Sequence, residues 1–248
     1  MEIGWPSELL IVRHAESAGN VAREEALLRG EPVIVIEQAR DCDVPLSALG
    51  LRQAAALGRW AARNIEPVDA VLSSPYERAT ETARIALDAA GWGGVPVQID
   101  ERLREKEFGA LDRLTHVGIA QKYPEEVELR RALGKFYYRA PGGESWTDVI
   151  LRVRSAVETM LREHANRRVA IVTHQVVVLC LRYVIERMTE PELLAVDRAG
   201  DVANCGVTLY RTAGDPPYPQ LEAYNLVAPM EEEGAPVTSA PDVPIAAR

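Results

Sequence analysis

The chain has 248 residues, 47% of them hydrophobic and 26% charged, enough to build one large α/β domain around a full core. Its 28 Lys and Arg against 37 Asp and Glu leave a formal net charge of −9, a diffuse negative field that argues against a nucleic-acid or anionic-membrane surface. An anionic ligand would need a local basic pocket.

The opening stretch "MEIGWPSE" has neither a basic nor an apolar targeting region, and no apolar run approaches the ~18 residues of a membrane span, so a cytoplasmic protein is expected. Along the chain, short β-rich runs alternate with longer helical ones, the pattern of a mostly parallel sheet covered by helices. "ELLIV" (8–12) reads as the first strand. "LSALGLRQAAALGRWAARN" (46–64) reads as a helix with Ser47 as N-cap, Leu46 as staple partner, and Leu49, Ala54, Leu57 and Ala61 at helical spacing. "DAVLSS" (69–74) is the second strand, and the helix expected over 76–91 stops at Gly91. "VPVQI" (95–99) is the third strand.

Residues 112–143 break the rhythm with short helices, a break at Pro124 and a closing Pro-Gly-Gly turn, and read as an insertion over one end of the sheet. A helix restarts over 144–164, with Ser145 and Asp148 spaced as a capping box. "RVAIVT" (168–173) is the fourth strand, and "CGVTLYR" (205–211) with "PQLEAYNL" (219–226) reads as an antiparallel pair added to the sheet. The Pro-, Ala- and Glu-rich stretch 229–248 is expected to be a mobile tail after a single catalytic domain over 1–228. Cys42, Cys180 and Cys205 contain no Cys-x-x-Cys pair and suggest neither a disulfide framework nor a zinc site. Cys180 lies in an apolar run and reads as a small buried hydrophobe.

Open parallel sheets bind ligands beyond the carboxyl ends of their strands. Four such ends are polar: Arg13-His14 after the first strand, "SSPYER" with Arg78 after the second, "DERLREKEFG" with Glu105 after the third, and Thr173-His174 after the fourth. Each alone is ordinary loop chemistry. Jointly they place two of the four histidines at matching strand ends. The others differ: His116 falls in the insertion, and His164 near a helix C-terminus, where a favourable dipole contact is expected.

Two histidines, two arginines and a carboxylic acid suit a phosphate ester. Neutral imidazole can attack phosphorus, guanidinium groups hold phosphate oxygens, and a protonated glutamate can supply the leaving-group proton. This chemistry requires no metal and no other cofactor.

"VRHAESAGN" resembles the Arg-His-Gly-Glu-Ser-x-x-Asn signature of the histidine phosphatase superfamily, which includes cofactor-dependent phosphoglycerate mutases. The likeness continues, in family order, through "DVPLSALGLRQA", "VLSSPYERATETA", "LREKEFGALD", "PGGESWTDVILRV" and "VAIVTHQ". The resemblance implies a three-layer α/β/α sandwich with a mostly parallel sheet, phosphoglycerate mutase-like, with a helical insertion over the active site. It implies His14 as the nucleophile that becomes phosphohistidine, Arg13 and Arg78 gripping the phosphate, and His174 donating to the transferring group. Glu105 would be the general acid, and Asn20 would contact phosphate or substrate from the start of the first helix. Ser17 is a weaker candidate because an N-cap role explains it equally well, and Glu16 reads as a structural hydrogen-bonding partner. Glu101 and Glu107 share the loop with Glu105, which is preferred for its place before "KEFGAL". Two departures stand out: Ala15 where glycine is usual, and Gln175 where glycine is common, which puts a side chain near the pocket mouth.

The family core serves hydrolysis and mutase chemistry alike. Only a faint counterpart of the mutase substrate segment is present, in Arg130-Arg131, and residues 21–43 look longer than in typical mutases, which favours a phosphatase acting on a small phosphorylated substrate. Arg130, Arg131, Lys135, Tyr137, Tyr138 and Arg139 could form a basic, aromatic wall around the organic part of that substrate, or simply a surface helix with packed tyrosines. A non-catalytic phosphate-binding module ranks last, since all the chemistry-bearing residues are present. A homodimer is plausible from the family alone.

Overall fold

The computed structural model describes residues 3–239. A six-stranded sheet has β1 (Glu8–Arg13), β2 (Ala70–Ser73), β3 (Val97–Ile99), β4 (Arg168–Thr173), β5 (Val207–Ala213) and β6 (Tyr218–Leu226) in the spatial order β3-β2-β4-β1-β5-β6. The first four are mutually parallel, and β5 pairs antiparallel with both β1 and β6. Around them run α1 (Ala18–Arg29), α2 (Ala48–Asn64), α3 (Glu77–Ala90), α4 (His116–Lys122), α5 (Pro124–Tyr137), α6 (Trp146–Glu163), α7 (Gln175–Ile185), α8 (Glu190–Ala199) and α9 (Ala228–Glu232).

Strand alternation sets the three layers. Leu9 and Ile11 of β1, with Val169 and Ile171 of β4, pack against Trp146, Val149 and Val153 of α6 and the apolar α7. Leu10 and Val12 point the other way, toward Ala54, Leu57 and Trp60 of α2 and Ala79, Ala83 and Leu87 of α3. Ser47 caps α2 by accepting from the Gly50 amide at 2.9 Å, and Ser145 and Asp148 form the capping box of α6. Gly91 closes α3 in the left-handed conformation (φ 74°). Helix α8 went unassigned in the sequence, although its Thr189–Glu192 capping box is a readable start signal.

The mobile tail expected from residue 229 is corrected over 229–239. Met230 is fully buried among α2 residues, Glu233 pairs with Arg59 and Arg63, and the Gln53 amide donates to the Pro236 carbonyl at 2.9 Å and the Thr238 hydroxyl at 3.0 Å. Two arginines on the outer face of α2 and one buried methionine outweigh the low hydrophobicity of the segment. Residues 240–248 lie outside the described residues.

Helix α2 meets the loop after β1 backbone to backbone. A Cβ at Gly50 would stand 1.9 Å from the Glu16 carbonyl oxygen. Glycine is required there for contact rather than conformation.

Candidate active site

Residue Arg13 is in register with Thr173, so the residues leaving parallel β1 and β4 emerge side by side. The His14 amide donates to the Thr173 carbonyl at 2.8 Å, and the His14 and His174 rings lie 5.0 Å apart at 62°. His14 Nδ1 lies 2.7 Å from the Ala15 carbonyl oxygen, which only accepts, so Nδ1 carries the proton and Nε2 of the neutral ring is left with a lone pair. The loop is clamped from three sides. Ala15 N–H donates to Thr82 Oγ1 of α3 at 3.0 Å, Asn204 Nδ2 donates to the His14 carbonyl at 3.0 Å, and Glu16 N–H donates to Gln53 Oε1 of α2 at 2.9 Å. Ser47 Oγ donates to the Glu16 carboxylate at 2.6 Å, so Glu16 is the structural partner expected of it.

Beside His14 lies a cavity open to solvent and lined by Arg13, Arg78, Asn20, Glu105 and Gln175 among others. Arg13 is buried and donates to the Val202 carbonyl. Burial pushes its pKa down to about 10, which leaves it a cation at neutral pH. Arg78, in the first turn of α3, stacks over the Tyr76 ring at 4.8 Å and donates to the Asp41 carboxylate at 2.8 Å and to its carbonyl at 2.7 Å. Burial, followed by the neighbouring Arg78, drives both histidines well below the ordinary imidazole value of 6.5, so both rings are neutral at pH 7.

His174 Nε2 is 2.8 Å from Ser74 Oγ, and its buried Nδ1 has no hydrogen-bond partner among the described residues. Ser74 stands at the end of β2, inside a motif the sequence already marked, but its part in holding the second histidine was missed. Of the three glutamates after β3, Glu105 lines the cavity, Glu107 accepts from the Tyr76 hydroxyl at 3.1 Å, and Glu101 is exposed. Asn20 and Ser17 both line the cavity while forming the capping box of α1. Asn20 Oδ1 accepts from Ser17 N–H at 3.0 Å, and Ser17 Oγ accepts from Asn20 N–H at 3.1 Å.

Gln175 lines the cavity from the first position of α7, where it is buried and its amide donates to Asp201 at 2.9 Å. One specificity expectation is corrected: the basic wall does not face the cavity. Lys135 points at Asp197 (2.8 Å) and over the Trp146 ring (5.1 Å), Arg139 pairs with the capping residue Asp148, and the Tyr138 hydroxyl donates to Glu126 at 2.7 Å. With α5 packed on α6, Lys135 and Tyr138 are held against the fold, whereas Arg131, Tyr137 and Arg139 are exposed, and none of these residues lines the cavity. The outer wall is built instead by Ile34, Ile36, Asp41, Phe108, Asp112, Arg113 and, from α1, Arg23. Arg23 follows Asn20 at helical spacing, a signal in the sequence that went unused. Lys135→Ala is therefore expected to leave kcat and KM within about twofold while costing about 1–3 kcal/mol of stability in denaturant unfolding, because it strands the buried Asp197 carboxylate.

His164 sits at the C-cap of α6, buried, with neither ring nitrogen hydrogen-bonded among the described residues, and burial lowers its pKa. The expected dipole contact of a cation gives way to a neutral buried ring. His14, His174 and His164 thus all hold folded pKa values below the ordinary 6.5. Below pH 6.5 the unfolded chain takes up protons that the folded chain refuses, so stability falls with pH, by up to ~1.4 kcal/mol per unit for each histidine. Melting temperature should drop between pH 7 and pH 5, and drop less in His164→Leu; a flat or rising profile would contradict the assignment.

Among the described residues no group of three or more His, Cys, Asp or Glu side chains is placed to hold a metal ion, and no helix is long and apolar enough to cross a membrane. Residues 9–226 match the family model described as histidine phosphatase superfamily, branch 1. The chain belongs to this superfamily. Its relatives include a bifunctional protein of Mycobacterium tuberculosis, 33% identical over 171 residues, covering 69% of this chain but only 42% of that protein. A Yersinia pestis protein named "Probable phosphoglycerate mutase GpmB" is 30% identical over 176 residues, covering 70% of this chain and 72% of that one. Among solved structures, a mycobacterial glucosyl-3-phosphoglycerate phosphatase superposes with a TM-score of 0.67 at 25% identity, covering 88% of this chain and 99% of that one. Histidine phosphatase superfamily members are enzymes of phosphoryl transfer, and the three-layer fold seen here is theirs.

Proposed function

We propose that the protein is a metal-independent phosphomonoester hydrolase working through a phosphohistidine on His14. The observation that carries this reading is the Nδ1 hydrogen bond to the Ala15 carbonyl, which leaves a neutral imidazole with its Nε2 lone pair beside two arginines. Nε2 attacks phosphorus in line, Arg13 and Arg78 neutralise the non-bridging oxygens, and the ester oxygen departs with a proton from Glu105. When the Ser74 hydroxyl donates to His174 Nε2, Nδ1 carries the proton and donates it in a hydrogen bond to the transferring group. Water then attacks the phosphohistidine, giving its proton to Glu105, and inorganic phosphate leaves with His14 restored.

The mutase reading has one observation in its favour, the 30% identity to the Yersinia protein. Against it, Arg130 and Arg131 are not among the residues lining the cavity. The deciding experiment follows phosphate release from a panel of small phosphomonoesters in the presence of a chelator, with 3-phosphoglycerate isomerisation assayed in parallel. Release that survives chelation, with an acid-labile phosphoprotein trapped on quenching, is the expected result. Isomerisation without release would install the mutase, and neither activity would leave a phosphate-binding module.

A further inference from the structure

Two of the groups that hold the nucleophile's loop are side-chain amides, Asn204 on the His14 carbonyl and Gln53 on the Glu16 N–H, and both residues are fully buried. Main-chain groups fix which way each amide faces. The His14 carbonyl only accepts, so Asn204 turns Nδ2 toward it, and the Glu16 N–H only donates, so Gln53 turns Oε1 toward it. The far ends of the two amides are therefore unlike. Gln53 presents Nε2, which can only donate, and Asn204 presents Oδ1, which can only accept.

The Thr238 hydroxyl bridges those ends, accepting from Gln53 Nε2 at 3.0 Å and donating to Asn204 Oδ1 at 3.1 Å. A hydroxyl does both at once, which neither a carbonyl nor an N–H can. Main-chain bonds set the threonine in place: the Asn204 N–H donates to the Thr238 carbonyl at 2.8 Å, and Gln53 Nε2 also donates to the Pro236 carbonyl at 2.9 Å. A chain of hydrogen bonds thus runs from the Glu16 N–H through Gln53, Thr238 and Asn204 to the His14 carbonyl. It spans the two peptide groups that flank Ala15. The second of these is decisive for chemistry, because the Glu16 N–H and the Ala15 carbonyl belong to one planar unit. That carbonyl is the acceptor for His14 Nδ1 at 2.7 Å, so the plane that Gln53 holds also sets the imidazole tautomer.

We infer that Thr238 is a positioning residue for the reaction: its hydroxyl orients both amides, and through them the peptide planes beside Ala15 and the tautomer and aim of His14. It acts through other groups, since it is not among the residues lining the cavity. For its effect on turnover this rests on the hydrolase reading above, but the orientation itself belongs to the resting protein. A nucleophile displaced by ~1 Å can lose about 10²-fold in rate, while the phosphate contacts of Arg13 and Arg78 survive.

The test compares two variants. Thr238→Val keeps the branched shape and removes both bonds, whereas Thr238→Ser keeps the hydroxyl. Assayed well below both melting transitions on the best ester of the panel, Thr238→Val should lower kcat at least tenfold with KM within threefold, and Thr238→Ser should retain at least half of the wild-type kcat. Nitrogen NMR of the His14 ring reads the resting protein without turnover. A single Nδ1–H tautomer is expected in the wild type and in Thr238→Ser, and a mixture with the Nε2–H form in Thr238→Val. An unchanged kcat in Thr238→Val, an equal loss in both variants, or a His14 tautomer indifferent to the substitution overturns the inference and leaves hydrolysis by the wild type intact. If the wild type releases phosphate from no ester, the hydrolase reading falls, and the tautomer contrast between the two variants alone upholds or overturns the inference.

Discussion

His14→Ala is expected to lower phosphomonoester turnover by at least ~10⁴-fold, because in the proposed reaction it removes the atom that forms the covalent intermediate. The rest of the site should survive the change. The loop is held by main-chain bonds from Ala15 to Thr82, from Asn204 to the His14 carbonyl and from Glu16 to Gln53, none of which uses the imidazole. Arg13 and Arg78 stay charged and in place, so inorganic phosphate should bind within about tenfold of wild-type affinity. The measurements are steady-state release from p-nitrophenyl phosphate, a quench for acid-labile phosphoprotein, and phosphate titration by calorimetry. Residual activity within tenfold of wild type would mean that water attacks phosphorus directly and that His14 serves only to orient it.

Glu105→Gln should separate the two halves of the reaction. General acid–base assistance contributes about 10²–10⁴-fold, and the glutamine can neither protonate an alkoxide nor deprotonate water. For an alkyl ester the first step should fall by that factor. For p-nitrophenyl phosphate, whose leaving group needs no proton, a rapid burst equal to the enzyme concentration should precede slow turnover, because the phosphohistidine forms and then waits for an activated water. A burst-free loss on both substrates would place Glu105 in substrate binding. Full activity would move the acid role elsewhere, although Glu107 is already engaged by Tyr76 and Glu101 faces solvent.

The sequence disclosed the chemical centre better than its surroundings. Arg13, His14, Arg78, Glu105 and His174 stand directly after strand runs or in the first turn beyond them, and a parallel sheet gathers such ends by construction, so local signals sufficed. Helix limits were readable where caps announce them, as at Ser47, Ser145 and Gly91. The substrate wall was not, because it depends on which way an irregular segment folds. Lys135 and Arg139 have the composition of an anion-binding helix, yet Asp197 and Asp148 take them up from α8 and from the capping box of α6. The true outer wall comes from 34–41 and 108–113, where no periodic pattern exists and where long-range ties such as Arg113 to Gln38 decide the path. The ordered part of the final segment was likewise hidden: its anchors, Arg59 and Arg63, lie some 170 residues earlier, as the Arg63–Glu233 pair shows.

The crossing of Gly50 over Glu16 has a consequence for how such an enzyme can change over generations. A backbone contact at a position where a Cβ would come within 1.9 Å of a carbonyl oxygen leaves nothing for side-chain substitution to adjust. The nucleophile's loop is thereby insulated from drift in the surrounding core, while in the outer wall segment 108–113 carries a comparable lock at Gly109 alone, where a Cβ would stand 2.2 Å from the Pro141 carbonyl oxygen, and segment 34–41 contains no glycine. New substrates can be reached by exchanging residues at 34–41 and 108–113, with the phosphoryl chemistry inherited unchanged.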